Sequence, residues 1–178
     1  MTQMTVLQPG DPFPPLTVAL PGGRTLRLPD ALAGRFGVVL YYRGSWCPYC
    51  NAQLSAFQRS LDRLADVGIS VVALSVDDEA TTRDLIARHG LRFPVGHSAD
   101  AAAIARATGA FVNPGPPYLQ STGFVLDPAA GSSSACTPAA RSAGSSRRTS
   151  SAWSVTSANT PRPADASARR ESPTHSSG

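Results

Sequence analysis

The chain has 178 residues, enough for one domain with a real hydrophobic core, and a formal charge of +4. That charge is uneven: residues 1–128 balance ten Arg against ten Asp and Glu, and the last fifty residues hold six Arg against Asp165 and Glu171. Dispersed arginines without interleaved aromatics make no nucleic-acid footprint, and no apolar run approaches a transmembrane helix in length, so neither nucleic acid nor membrane is an expected partner. Met1 to Pro9 has no basic n-region and runs into prolines, so no targeting segment is expected and the chain reads as cytoplasmic.

The elements follow in chain order. Leu16–Leu20 and Arg24–Leu28 flank Pro21-Gly22-Gly23, which predicts a short hairpin. Phe36 to Tyr42 is an apolar run with the look of a buried strand, and it gives way at Trp46-Cys47-Pro48-Tyr49-Cys50 to a helical pattern. Leu54, Phe57, Leu61, Leu64 and Val67 form the apolar stripe of that helix, and Gly68 ends it. Ile69 to Val76 predicts a second buried strand. Asp77 or Asp78 caps the next helix, which runs to about His89 with Gly90 as its stop. Ala101 to Thr108 predicts a third helix, Asn113 to Pro117 an irregular loop, and Gly123 to Asp127 another strand. Strands alternating with helices imply an α/β sheet with parallel pairs.

The pattern then stops. Asp127-Pro128-Ala129-Ala130-Gly131 has the form of a hairpin turn, yet Ser132-Ser133-Ser134-Ala135 follows where an apolar strand is expected. From Ala129 to Gly178 the large apolar residues are Trp153 and Val155 alone. Such a segment buries too little apolar surface to offset an ordering entropy of roughly 1–2 kcal/mol per residue. The expectation is a domain over residues 1–128 without its last strand and helix, then a disordered low-complexity tail over 129–178, whose Ser/Ala/Arg/Pro/Thr composition is that of GC-rich DNA read off-frame.

Cys47 and Cys50, three residues apart at a strand-to-helix junction, are arranged for reversible thiol–disulfide chemistry. The unpaired N–H groups and partial positive charge of a helix N-terminus favour thiolate at Cys47, the expected nucleophile. Cys50, on the same helical face, is the expected resolving thiol. Pro48 suits the first helical turn, because its missing N–H has no intrahelical acceptor there. A closed zinc site needs four ligands, and Cys136, His89, His97 and His175 show no ligand spacing, so no metal is expected, and nothing calls for a cofactor. Arg43, four residues before Cys47, is a candidate thiolate stabiliser, the alternative being an exposed charge at a strand end. Trp46 reads as a shield beside the thiols or as ordinary half-buried core. With Pro48 and Tyr49 it forms the candidate substrate-binding set, although Tyr49 can equally face solvent.

Residues from Pro9 to about Pro128 resemble the alkyl hydroperoxide reductase and thiol-specific antioxidant family, the peroxiredoxin-like branch of the thioredoxin fold. The likeness is carried by Pro9-Gly10-Asp11-Pro12-Phe13-Pro14, by Tyr41 to Cys50 followed by Gln53-Leu54, by Phe93-Pro94-Val95 with Asp100 and Ile104-Ala105-Arg106, and by Thr122 to Asp127. The resemblance implies a thioredoxin-like fold, with a mixed central sheet flanked by helices. It also implies reduction of hydroperoxides, with an external dithiol donor of thioredoxin or glutathione type. The motif departs from the family's Pro-x-x-x-Thr-x-x-Cys: Leu40 and Gly44 stand at the first two positions, and Ser121 falls near the family's second Arg. Losing one such hydrogen-bond donor costs on the order of 10²–10³ in rate. A cis-Pro opposite the thiols, as in thioredoxins, has Pro116 and Pro117 as its nearest candidates. Two other functions stay open: a general thiol–disulfide reductase, favoured by the CPYC core that glutaredoxins share, and a truncated non-catalytic remnant.

Overall fold

The computed structural model describes residues 6–129 and 132–136. In chain order these form the hairpin β1 (Leu16–Leu20) and β2 (Arg24–Leu28), a 3-10 turn at Asp30–Leu32, β3 (Phe36–Tyr41), α1 (Pro48–Asp66), β4 (Ile69–Leu74), α2 (Glu79–His89), β5 (Val95–Gly96), α3 (Ala101–Thr108), β6 (Val112–Pro114), β7 (Pro117–Leu119), β8 (Thr122–Leu126) and β9 (Ser132–Cys136). The central sheet has the order β5-β4-β3-β8-β9. It is mixed, as expected: β3 and β4 run parallel, as do β4 and β5, whereas β8 is antiparallel to both β3 and β9.

β3 and β4 are apolar but for Ser70 because the sheet is covered on both faces. Side chains alternate across a strand, so Val39, Tyr41, Val72 and Leu74 join one core with Phe124, Ile104 and the β1–β2 hairpin. Leu40, Tyr42, Val71 and Ala73 join the other, with Leu54 of α1 and Leu85 of α2. Both cysteines of the CxxC belong to this second core.

The caps decide the helix ends. Asp78, not Asp77, is the N-cap of α2 and accepts from Thr81 N at 2.8 Å. Asp100 does the same for α3 through Ala103 N at 2.9 Å. Gly90 and Gly109 close these helices in the left-handed conformation. Val67, the last member of the sequence stripe on α1, lies past the helix as its C-cap and is 67% exposed.

Three segments differ from expectation. Asn113–Pro117 is not irregular: β6 and β7 pair antiparallel from Val112–Leu119 to Pro114–Pro117, with Asn113 Nδ2 donating to Pro116 O at 2.9 Å and a cis Gly115–Pro116 bond at the tip. The two-residue strand β5, too short to show any period, is new. The third difference is the returning strand. The chain does not leave the sheet at Pro128. β9 pairs with β8 from Gly123–Cys136 to Leu126–Ser132, with a one-residue slip between Val125 and Leu126. The bonds of a ladder are backbone to backbone, so a Ser-rich segment can complete it without an apolar signature. The expectation of a disordered, off-frame tail covers residues 129–178; of these the described residues are 129 and 132–136, and the rest of that expectation lies outside the described residues.

Gly96 lets the hairpin lie close against the sheet. A Cβ there would meet Val18 Cγ1 of β1, with Leu74 Cβ at 3.2 Å. Gly96→Ala is therefore expected to destabilise the fold by about 1–3 kcal/mol through overpacking, read as a lower guanidinium chloride midpoint; an unchanged midpoint would show that the hairpin yields instead.

Candidate active site

Tyr42 N still bonds to Leu74 O at 3.1 Å, so β3 hydrogen-bonds to β4 up to the edge of the turn. Cys47 is then the N-cap of α1, with Pro48 in the first helical turn. Its Sγ accepts from Cys50 N at 3.3 Å, the role a Ser or Asp oxygen usually fills. Cys50 Sγ lies 2.6 Å from Cys47 Sγ, and both are free thiols. Both are enclosed: Cys47 is 1% exposed and Cys50 2%. Their environments do differ. Burial pushes the Cys50 thiol up to about 12, the hydrogen bond with Cys47 adds to this, and the backbone N–H and charge of Arg43 oppose it. Cys47 instead receives a backbone N–H at a helix N-terminus, which suits a sulfur anion.

The turn before Cys47 is pinned from two sides. Ser45 N donates to Asp77 Oδ2 at 2.7 Å, and Asn51 Nδ2 of α1 donates to Ser45 O at 2.8 Å. Asp77 is thus the partner of the turn before Cys47, while its neighbour Asp78 caps α2. Gly44 has φ +149°, and a Cβ there would lie 2.5 Å from Trp46 Nε1 and 3.0 Å from Asp77 Oδ1. The departure from the family's Thr is therefore built into this turn: the space for that side chain is taken by the Trp46 indole and the Asp77 carboxylate. Ser121, near the position of the second Arg, donates its hydroxyl to Gln53 Oε1 at 3.4 Å.

The structure brings Arg43 into a cluster that includes one residue the sequence did not flag. Arg43 Nη2 donates to Tyr118 OH at 3.0 Å. Its Cζ lies 4.9 Å from the Trp46 ring centroid and 5.3 Å from that of Tyr118. The two rings meet edge to face at 5.3 Å. Arg43 is half-buried, so it is no free charge at a strand end. Trp46 at 56% and Tyr49 at 85% exposure, with exposed Pro48, form an open rim around the buried sulfurs. Tyr118 follows a Pro-Gly-Pro-Pro run and has no local sequence signal. Among the described residues no cluster of three or more His, Cys, Asp or Glu is placed to hold a metal ion.

The AhpC/TSA family model matches residues 9–130. A Mycobacterium tuberculosis protein named as a peroxiredoxin is 35% identical over 98 residues, which is 53% of this chain and 60% of that protein. The thiol-disulfide oxidoreductase ResA of Bacillus anthracis is 28% identical over 90 residues, 50% of this chain and 51% of ResA. The chain thus spans little more than half the length of these curated relatives. Among solved structures, the peroxidoxin BcpB of M. tuberculosis overlays with a TM-score of 0.66 at 20% identity, covering 74% of this chain and 86% of that one. M. tuberculosis AhpC overlays at 0.64 with 19% identity, covering 79% and 88%. The fold is the thioredoxin-like fold of those proteins, and the chain belongs to the AhpC/TSA family.

Two outcomes follow from this geometry. A thiol with a raised pKa stays protonated below it, so iodoacetamide between about pH 6 and 9 should modify Cys47 and spare Cys50, whose thiol titrates only near about 12; peptide mass spectrometry reads the two sites, and preferential labelling of Cys50 would reverse the assignment. Restoring the family residue with Gly44→Thr should destabilise the protein by about 1–3 kcal/mol, since a β-branched residue meets both the positive φ and the Trp46 contact. Thermal melting checks this, and an unchanged melt would mean that Trp46 swings aside.

Proposed function

We propose that the chain is a thiol peroxidase of the AhpC/TSA family that works through a Cys47–Cys50 dithiol–disulfide cycle. The observation that carries this reading is the pair of free thiols 2.6 Å apart at the start of α1, with Cys47 Sγ accepting the Cys50 N–H. The Cys47 thiolate attacks the distal oxygen of a hydroperoxide. The O–O bond breaks, the alcohol or water leaves with a proton, and Cys47 becomes a sulfenic acid. Cys50 condenses with it, an S–S bond forms and water is released. An external dithiol of thioredoxin or glutathione type then reduces the disulfide and is itself oxidised. Condensation needs no large movement of the helix, because the sulfurs already touch.

Arg43 is the cation nearest to this chemistry in sequence, and it interacts electrostatically with both sulfurs. Trp46, Pro48 and Tyr49 are the exposed surface that an incoming substrate or donor meets. A general disulfide reductase is the second reading. It is favoured by the likeness to ResA and by Gly44, which supplies no hydroxyl to a peroxide. The remnant reading rested on the lack of a returning strand and a terminal helix; β9 pairing with β8 removes the first of these, and the second falls outside the described residues.

One comparison separates the readings: hydrogen peroxide consumption against insulin reduction, both with dithiothreitol as donor. The proposal expects peroxide turnover to dominate and both activities to vanish in Cys47→Ser. Cys50→Ser is expected to stop after one turnover unless dithiothreitol itself resolves the sulfenic acid. Dominant insulin reduction would establish the second reading, and a folded wild-type protein inactive in both assays would overturn both.

A further inference from the structure

A guanidinium on a long flexible stem contributes to a neighbouring sulfur only if something holds it there, because freezing such a side chain costs rotamer entropy. The usual holder is a carboxylate, and a carboxylate would cancel the charge it holds. Among the described residues no carboxylate forms an ion pair with Arg43. Its holder is Tyr118, on β7 and 75 residues away in sequence, whose hydroxyl accepts from Nη2 at 3.0 Å. The Tyr118 ring also packs beside the guanidinium at 5.3 Å and against the edge of Trp46 at 5.3 Å. A phenol is a neutral acceptor, so it fixes the cation without neutralising it. Arg43 Nε is buried and has no acceptor among the described residues. A donor left in that state is costly, and it leaves the guanidinium with an unused donor while its charge interacts with both sulfurs.

We propose that Tyr118 is the positioning residue of this site, holding the Arg43 guanidinium where its uncancelled charge stabilises the Cys47 thiolate. The inference rests on the reading of Cys47 as the attacking thiol. It adds a residue from the β6–β7 hairpin to a site otherwise built from the β3–α1 turn and the start of α2. It also gives that hairpin a purpose: β7 carries Tyr118 to the rim of the thiols, and Leu119 beside it is fully buried and anchors the strand in the core.

The test is the pH dependence of Cys47 alkylation in the reduced full-length protein, followed by peptide mass spectrometry so that Cys50 and Cys136 are read separately. Tyr118→Phe keeps the ring and removes the acceptor. It should move the profile to higher pH and slow labelling at neutral pH by about three- to tenfold. Arg43→Met should do the same, and the double variant should be no slower than the slower single, because both changes remove one interaction. A Tyr118→Phe profile that superimposes on wild type, or single effects that multiply in the double variant, would overturn the inference. A purely structural role for Tyr118 would lower the melting temperature and leave the alkylation profile in place. Peroxide turnover is not the readout: a chain inactive towards peroxide overturns the peroxidase reading alone, and an unmoved alkylation profile overturns this inference alone.

Discussion

The burial of β3 and β4 on both faces is the constraint from which the site follows. α1 must cover the face that carries Leu40, Tyr42, Val71 and Ala73, and it must do so immediately after β3 ends. The chain has only the residues from Tyr42 to Cys47 in which to turn from strand into helix. That brevity puts the first turn of α1 over the end of the strand and puts Cys47 at its N-cap. Leu54 and Cys50 face the same core, so the register that packs the helix also turns both thiols inward. Packing and chemistry therefore share one interface.

Inward-facing thiols carry a conflict. Burial disfavours a thiolate, and both cysteines are almost fully enclosed. The two sulfurs nevertheless differ in their surroundings. Cys47 takes a backbone N–H and lies at the positive end of the helix, whereas Cys50 is left as a high-pKa thiol. The turn itself is held by Asp77 and Asn51 through the backbone of Ser45. Backbone pinning leaves the turn rigid without adding a side chain to the crowded space at Gly44.

Much of this was legible in the sequence where a local signal existed. β3, β4 and α1 stand out by the period of their apolar residues, and α2 by its cap and its closing glycine. The position of the CxxC at a strand–helix junction followed from those elements alone. What escaped was non-local. Two adjacent aspartates could both be caps; only the fold shows that Asp78 caps α2 and that Asp77 bonds to Ser45, 32 residues earlier. Tyr118 is one aromatic in a proline-rich run until β6 and β7 pair. β9 has no apolar pattern to read, and its place in the sheet shows only in the backbone pairing with β8. The motif departure at Gly44 was visible as a departure, but its reason, the Trp46 indole lying in the vacated space, is purely three-dimensional.

The two candidate chemistries of this dithiol differ in where negative charge develops. Peroxide cleavage places it on the leaving oxygen, and disulfide exchange places it on a leaving sulfur. The groups that would donate to an oxygen in the full family motif are absent at residues 44 and 121, and neither position can regain them locally: Gly44 is closed by Trp46 and Asp77, and Ser121 already donates to Gln53. In the proposed peroxidase reading, stabilising an oxyanion would fall to Arg43, whose Nη2 is committed to Tyr118 and whose Nε has no acceptor among the described residues. A guanidinium holds several donors in one plane, so fixing it by one nitrogen orients the others. Under the proposed peroxidase reading one guanidinium is shared between the sulfur before the reaction and the leaving oxygen during it, so it replaces only part of the donor set of the full motif, and peroxide turnover is expected to be slower than with that motif intact.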